Sequence, residues 1–320
     1  MMDLPNPVLY AIPAFVVLII AEMVYGRLTG RTLFEPKDTA TSLAMGLGSQ
    51  IAGLIFGGLV LALGFYIWEH YRLFDLGFHW WTFLLAFILD DLAYYAFHRA
   101  SHRIRWFWAA HVIHHTSQHY NLSTALRQTW TGVPALTFIF SLPLFVLGFH
   151  PLLIAFISGI NLIYQFWIHT EAITRMPRWF EAIFNTPSHH RVHHATNPRY
   201  LDANYAGALI IWDRMFGTFV PELDEEKCRY GTVKQLGTFN PLKVAFHEWV
   251  GIFSDVIRTK NWRHWLGYAF GPPGWSHDGS RMTSEQIKES WAAHQNRQTQ
   301  PDQQVRQSPD KNPAKPVPAE

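Results

Sequence analysis

The chain has 320 residues, 49% hydrophobic and only 16% charged, enough for one large domain or two small ones. A net charge of +2 leaves no basic surface for nucleic acid, and the single cysteine, Cys228, excludes an intrachain disulfide or a cysteine-based metal cluster. Histidine is the unusual component: there are 18, and 12 fall between His98 and His194.

In chain order, the first apolar stretch covers residues 7–21 and ends at Glu22. It has neither a basic leader nor a small-residue cleavage site, so it reads as a retained membrane helix and not as a signal peptide. Residues 39–68 contain 30 positions without Asp, Glu, Lys or Arg, long enough as a helix to cross a ~30 Å hydrocarbon layer. A third stretch, 76–89, continues past Asp90 and Asp91 into the first histidines. Residues 128–170 carry no charge over 43 positions, which suits a hairpin of two crossing helices turning at Gly148, His150 and Pro151. Arg27, Arg31 and Lys37 follow the first stretch, only Arg72 follows the second, and Arg99, Arg103 and Arg105 follow the third. Arg175, Arg178, Arg191 and Arg199 follow the hairpin. The positive-inside rule then places the N-terminus outside and the histidine-rich segments in the cytoplasm, across the inner membrane in a bacterium.

The expected fold is all-α, a multi-pass integral membrane bundle of four to five spans with a cytoplasmic, histidine-rich helical cap. A soluble core would need buried helices far above the usual length. The expected division is an N-terminal membrane region at 1–89, a histidine-bearing domain at 90–219 that includes the 128–170 hairpin, a cytoplasmic or interfacial segment at 220–294, and a disordered tail at 295–320. The third part places Trp249, Trp262, Trp265 and Trp275 at headgroup level. The tail is dominated by Pro, Gln, Ser, Lys and Glu. No internal repeat is visible.

The histidines fall into three groups. His98 and His102 in HRASH lie one helical turn apart on one face. His111, His114 and His115 in HVIHH make a second face, and His190, His193 and His194 in HRVHH a third, with His189 just before it. Eight imidazoles give four for each of two metal ions, and His169 and His189 raise the number to nine or ten. Burying so many rings unpaired would cost several kcal/mol, which metal coordination relieves. His70, His79, His150, His247, His264, His277 and His294 stand alone and read as ordinary, and His119 as a neighbour of the second group. Structural zinc needs four ligands and hydrolytic zinc about three, whereas an imidazole-rich dinuclear site suits iron and dioxygen chemistry. Asp91, Glu171 and Asn204, with Asp202 and Asp213, are candidates to orient the rings; caps or interfacial charges are the other reading.

A different class, a histidine-rich metal transporter or metal-dependent membrane hydrolase, is disfavoured. A transporter places its ligands near the bilayer midplane, whereas these lie in Arg-rich polar segments. A zinc protease is expected to show HExxH, and the sequence has none.

HRASH, HVIHH and HRVHH resemble, in order and spacing, the three histidine boxes of the fatty acid hydroxylase and sterol desaturase superfamily, over roughly residues 90–219. The flanking words YNLSTALRQ (120–128), YQFWIHTE (164–171), NTPSHHRVHH (185–194), NYAG and IIWDRMFGTF most resemble its ether-lipid-cleaving branch, alkylglycerol monooxygenase. The likeness departs at Arg103, where that branch has an acidic residue. The resemblance implies two iron ions held by the eight box histidines with His169, and O2 as co-substrate. It further implies hydroxylation of an aliphatic carbon of a long-chain lipid held in an apolar channel among the spans, with desaturation or ether cleavage as variants. Electrons would come from a separate donor protein or a diffusible reductant, for which tetrahydrobiopterin is a candidate.

Overall fold

The computed structural model describes residues 4–299, so the part of the expected tail at 300–320 lies outside the described residues. The described helices are α1 (Pro7–Leu28), α2 (Pro36–Tyr71), α3 (Trp80–Arg103), α4 (Arg105–His115), α5 (Leu142–Leu147), α6 (Pro151–Trp167), α7 (Arg178–Ile183), α8 (Pro187–His193), α9 (Ile211–Met215), α10 (Pro241–Arg258), α11 (Trp265–Phe270) and α12 (Ser284–Thr299). No strand is present among these residues beyond one isolated bridge, Phe184 to Leu209. The described residues are therefore all-helical in class, and α12 runs past the boundary expected at Gln295.

α1 and α2, of 22 and 36 residues, are long and apolar enough to cross a membrane. Asn6 caps α1 by accepting from the Val8 amide, and Pro7 takes the first turn, where its missing N–H costs nothing. Leu9, Val16, Val17 and Ile20 on α1, and Leu47, Ile51, Leu54 and Leu59 on α2, are exposed. So much contiguous apolar surface is stable only against lipid or another apolar phase, and this is a membrane protein.

The expected hairpin differs in its first leg. Residues 128–136 form turns, and only Thr137–Leu147 is helical before Gly148, about 20 Å of rise and too short to cross. Pro134 and Pro143 cannot donate to a helical ladder. The turns are instead pinned to protein: the Trp130 indole donates to the Met45 carbonyl at 2.9 Å and the Trp106 indole to the Ala135 carbonyl at 3.2 Å. The chain then reverses at Gly148, whose φ of 108° is left-handed and where a Cβ would sit 2.0 Å from the Phe74 carbonyl oxygen.

α3, α5 and α6 share an apolar core of Ala86, Leu144, Phe145, Phe149, Leu153, Ile154 and Ile157. A second core joins α4 to α10 through Ala109, Ala110, Trp249 and Ile252. At the start of α4, buried Arg105 reaches Glu248 at 2.6 Å and Asp255 at 2.7 Å, tying α10 across the top of α4. A second buried pair, Arg127 to Asp38 at 2.8 Å, fixes the start of α2 against the segment that follows α4. α4 and the segment that follows it are thereby held in one place.

Candidate metal centre

α3 runs unbroken to Arg103 and delivers His98 and His102 on its last two turns, both buried. α4 brings His111, His114 and His115, α8 brings His190 and His193 with His194 at its C-cap, and His169 follows α6. These nine rings form two groups. One holds His98, His102, His111, His115 and His193; the other holds His114, His169, His190 and His194, with the ligand-capable atoms of each group within 4.8 Å of one another. The boxes therefore do not act as one face each. In α4 the i, i+4 pair His111 and His115 goes to the first group and His114 to the second; around α8 the pair His190 and His194 goes to the second and His193 to the first. A step of three or four rotates a ring by about 60° or 40°, enough to aim it at a different centre when two lie side by side.

Hydrogen bonds fix which nitrogen of several rings carries the proton. His98 Nδ1 lies 2.8 Å from the Tyr205 carbonyl oxygen, His193 Nδ1 3.0 Å from that of Ala203, and His169 Nδ1 2.7 Å from that of Gln165. A carbonyl only accepts, so each Nδ1 donates and each Nε2 presents a lone pair. Those lone pairs point inward: His98 Nε2 is 2.9 Å from His111 Nε2, His193 Nε2 is 3.2 Å from His115 Nε2, and His169 Nε2 is 3.1 Å from His114 Nε2 and 3.0 Å from His190 Nε2. His102 Nε2, buried, has no hydrogen-bond partner. Burial, reinforced by neighbouring imidazoles, pushes His98, His111, His114, His115, His190, His193 and His194 well below the ordinary histidine range, and burial brings His169 to about 4. These eight rings are neutral at pH 7. Converging neutral lone pairs, too many to satisfy one another and shielded from water, fit a cation at the centre of each group.

Asp213 and Asp91 hold backbone near the rings without touching one. Asp213 accepts from the Tyr205 and Ala206 amides, both at 2.8 Å, and from the Thr218 hydroxyl at 2.6 Å. Asp91 accepts from the Ala208 and Leu209 amides and the Trp212 indole at 2.7–2.9 Å. Together they brace the 203–209 loop whose carbonyls hold His98 and His193. Asn204 donates to the His189 and Val220 carbonyls, and Glu171 accepts from the Tyr230 hydroxyl; neither touches a ring of the two groups. His189 also lies outside both groups, with its Nδ1 unpartnered and its ring against Phe219. Asp202 alone approaches a ring directly, at 3.4 Å from His102 Nδ1. The Ala203, Tyr205 and Gln165 carbonyls escape sequence reading because any residue supplies one. The available signal is the Asx pair Asp202 and Asn204, both at left-handed φ, 49° and 55°, marking a sharply turned loop.

A cavity of about 940 Å³ reaches His102, His115, His193 and His194. Its walls include Trp108, Val112, Leu201, Leu236, Met282 and Ile287 together with Lys234, Glu248 and Arg281, so apolar area is interrupted by a few polar groups. α1 and α2 contribute nothing to this cavity, which is lined by the end of α3, α4, the end of α8 and segments after residue 194. Arg103 lies 3.7 Å from Glu285 of α12, a contact that an acidic residue would not make.

Residues 83–218 match the fatty acid hydroxylase family model. Alkylglycerol monooxygenase of Homo sapiens is 42% identical over 292 residues, covering 90% of this chain and 64% of that protein. The Xenopus tropicalis alkylglycerol monooxygenase is 41% identical over 283 residues, 88% of this chain and 62% of its own. That of Danio rerio is 41% identical over 284 residues, with the same two shares. The chain thus spans a little under two thirds of the length of these relatives. No solved structure matches with significance.

Proposed function

We propose that the chain, whose residues 83–218 match the fatty acid hydroxylase family model, is a membrane-bound oxygenase that hydroxylates an aliphatic carbon of a long-chain lipid with O2 and electrons from a separate donor. The observation that carries this reading is the pair of buried, all-imidazole groups side by side at the edge of one cavity. Two iron ions in them, when bound, supply reductive activation of O2 and removal of an aliphatic hydrogen. The chain's own residues do the rest. His98, His102, His111, His115 and His193 would hold one ion, and His114, His169, His190 and His194 the other. Neutral rings leave the ions their full charge. Carbonyls 165, 203 and 205 hold three of the rings in the tautomer that presents Nε2. Trp108, Val112, Leu201 and Ile287 line the space beside them, excluding water and positioning an alkyl chain.

A second reading is favoured by the relatives at 41–42% identity: the oxidised carbon lies next to an ether oxygen. Hydroxylation there gives a hemiacetal, which breaks into a fatty aldehyde and a free glycerol hydroxyl with no further oxidant. The excess of arginine in the histidine-bearing segments supports a multi-pass topology with the centre on the cytoplasmic side.

The test is incubation of purified, iron-loaded protein with ¹⁸O2, an alkylglycerol or an acyl lipid, and a reductant, with and without tetrahydrobiopterin. One ¹⁸O atom in the product supports the oxygenase, and pterin-dependent aldehyde release supports ether cleavage. The His114→Ala variant is expected to form neither. Product formation by that variant, or no ¹⁸O incorporation from either lipid by fully loaded protein, overturns the reading.

A further inference from the structure

α10 presents two different sides. Leu242, Phe246, Val250, Phe253 and Ile257 fall within an arc of about 80° at 100° per residue, and all five are exposed, Val250 at 65% and Ile257 at 81%. On another side, His247, Glu248 and Gly251 line the cavity beside the histidines. Between these two sides, Ala245, Trp249 and Ile252 are buried against the protein. An 18-residue helix with such a stripe would not leave it in water without cause.

Two features identify what covers the stripe. The first is continuity with the apolar surface of α2. The Thr41 hydroxyl on α2 donates to the Phe239 carbonyl just before α10 at 2.8 Å, and the Phe246 ring lies 6.3 Å from that of Trp130, whose indole is bonded to Met45 of α2. The stripe thus begins beside the first lipid-facing turns of α2, where Leu43 and Leu47 are exposed. The second is charge. From Asn240 to Phe270 the exposed charges are Lys243, Arg258, Lys260 and Arg263, while Glu248 and Asp255 turn inward to Arg105. Exposed Trp262 and Trp265 follow at the end of the stripe. An apolar stripe edged by basic and indole groups matches the boundary between acyl chains and anionic headgroups.

We propose that α10 lies in the plane of the membrane interface, its stripe sunk into the anionic leaflet that α2 enters and its other side forming a wall of the metal cavity. The cavity then stands one helix thickness from the headgroup layer, so a lipid reaches the histidines around the edge of α10 and not through the bilayer centre. This placement does not depend on which reaction the centre performs.

The test uses the full chain in vesicles of phosphatidylcholine with or without phosphatidylglycerol, with a nitroxide on a cysteine placed singly at Val250, Phe253, Ile257, Lys243 or Lys260. Cys228 stays in place, because burial pushes its thiol well up and leaves it a poor competitor for label. Collision with dissolved O2 is expected to exceed collision with an aqueous nickel chelate severalfold at 250, 253 and 257, and the ratio to reverse at 243 and 260. Phosphatidylglycerol is expected to move the three stripe labels deeper. Nickel access at the stripe equal to that at Lys260 places it in water and overturns the proposal. Labels shielded from both agents place it against protein, a second copy included, and also overturn it. As a control on folding, each labelled variant is required to keep the metal content of the unlabelled chain.

Discussion

Asp213 touches no histidine, yet its replacement is expected to weaken one metal group and spare the other. Its Oδ2 accepts from the Ala206 amide, which shares a peptide plane with the Tyr205 carbonyl that holds His98 Nδ1. Its Oδ1 accepts from the Tyr205 amide and the Thr218 hydroxyl. In Asp213→Asn one oxygen becomes an NH2, which faces an N–H or O–H that it cannot satisfy. One or two buried donors lose their acceptor, at about 1–3 kcal/mol each in stability. With the 205–206 peptide plane released, the His98 ring loses its fixed orientation, and such a loss typically costs about 10–100-fold in metal affinity, or ~1.4–2.7 kcal/mol. The assay is metal content per chain by mass spectrometry under increasing chelator, alongside the melting temperature of metal-free protein. One ion is expected to leave at 10–100-fold lower chelator, while the ion in the His114, His169, His190 and His194 group is retained as in the parent chain. If the variant melts lower yet holds both ions with parental affinity, Asp213 is purely structural and the reasoning about the peptide plane is wrong.

Further outcomes follow from the same geometry. His169→Ala is expected to lose one ion per chain and His189→Ala to retain both, because only the first aims Nε2 into a group; equal metal content in the two variants refutes the partition. Metal-free protein is expected to lose stability as pH falls below about 6.5, the ordinary histidine value. Its folded imidazoles have depressed pKa values, so the unfolded chain binds the protons first, at ~1.4 kcal/mol per pH unit for each such ring. A metal-free melting temperature that is flat from pH 7 to pH 5 refutes burial of the neutral rings. Arg105→Ala is expected to cost about 1–3 kcal/mol by leaving Glu248 without its partner, while Asp255 keeps Arg281, and to open α10 and α11 to protease. An unchanged digestion pattern and melting temperature would show that α10 and α11 are held by their apolar contacts alone.

What the sequence determined by itself was local chemistry. Histidines at steps of three and four on helices, the apolar runs that became α1 and α2, and the all-helical class are properties of nearest neighbours along the chain, and a period of 3.6 residues makes them legible. The first leg of the supposed hairpin was misread for the same reason. An uncharged run reports only that water is avoided, and the Trp130 and Trp106 indoles bind that segment to protein where lipid was expected. Tertiary structure alone decided how the three boxes and His169 divide into groups of five and four, since His98 and His193, or His114 and His169, meet only after distant helices pack. It also decided that Asp91 and Asp213 act through backbone carbonyls, whose placement depends on the path of the chain and on no side-chain identity. Finally, it showed that the cavity is walled by α10 and the segments around it, because a cavity is the space that separate elements fail to fill, and no stretch of sequence encodes it.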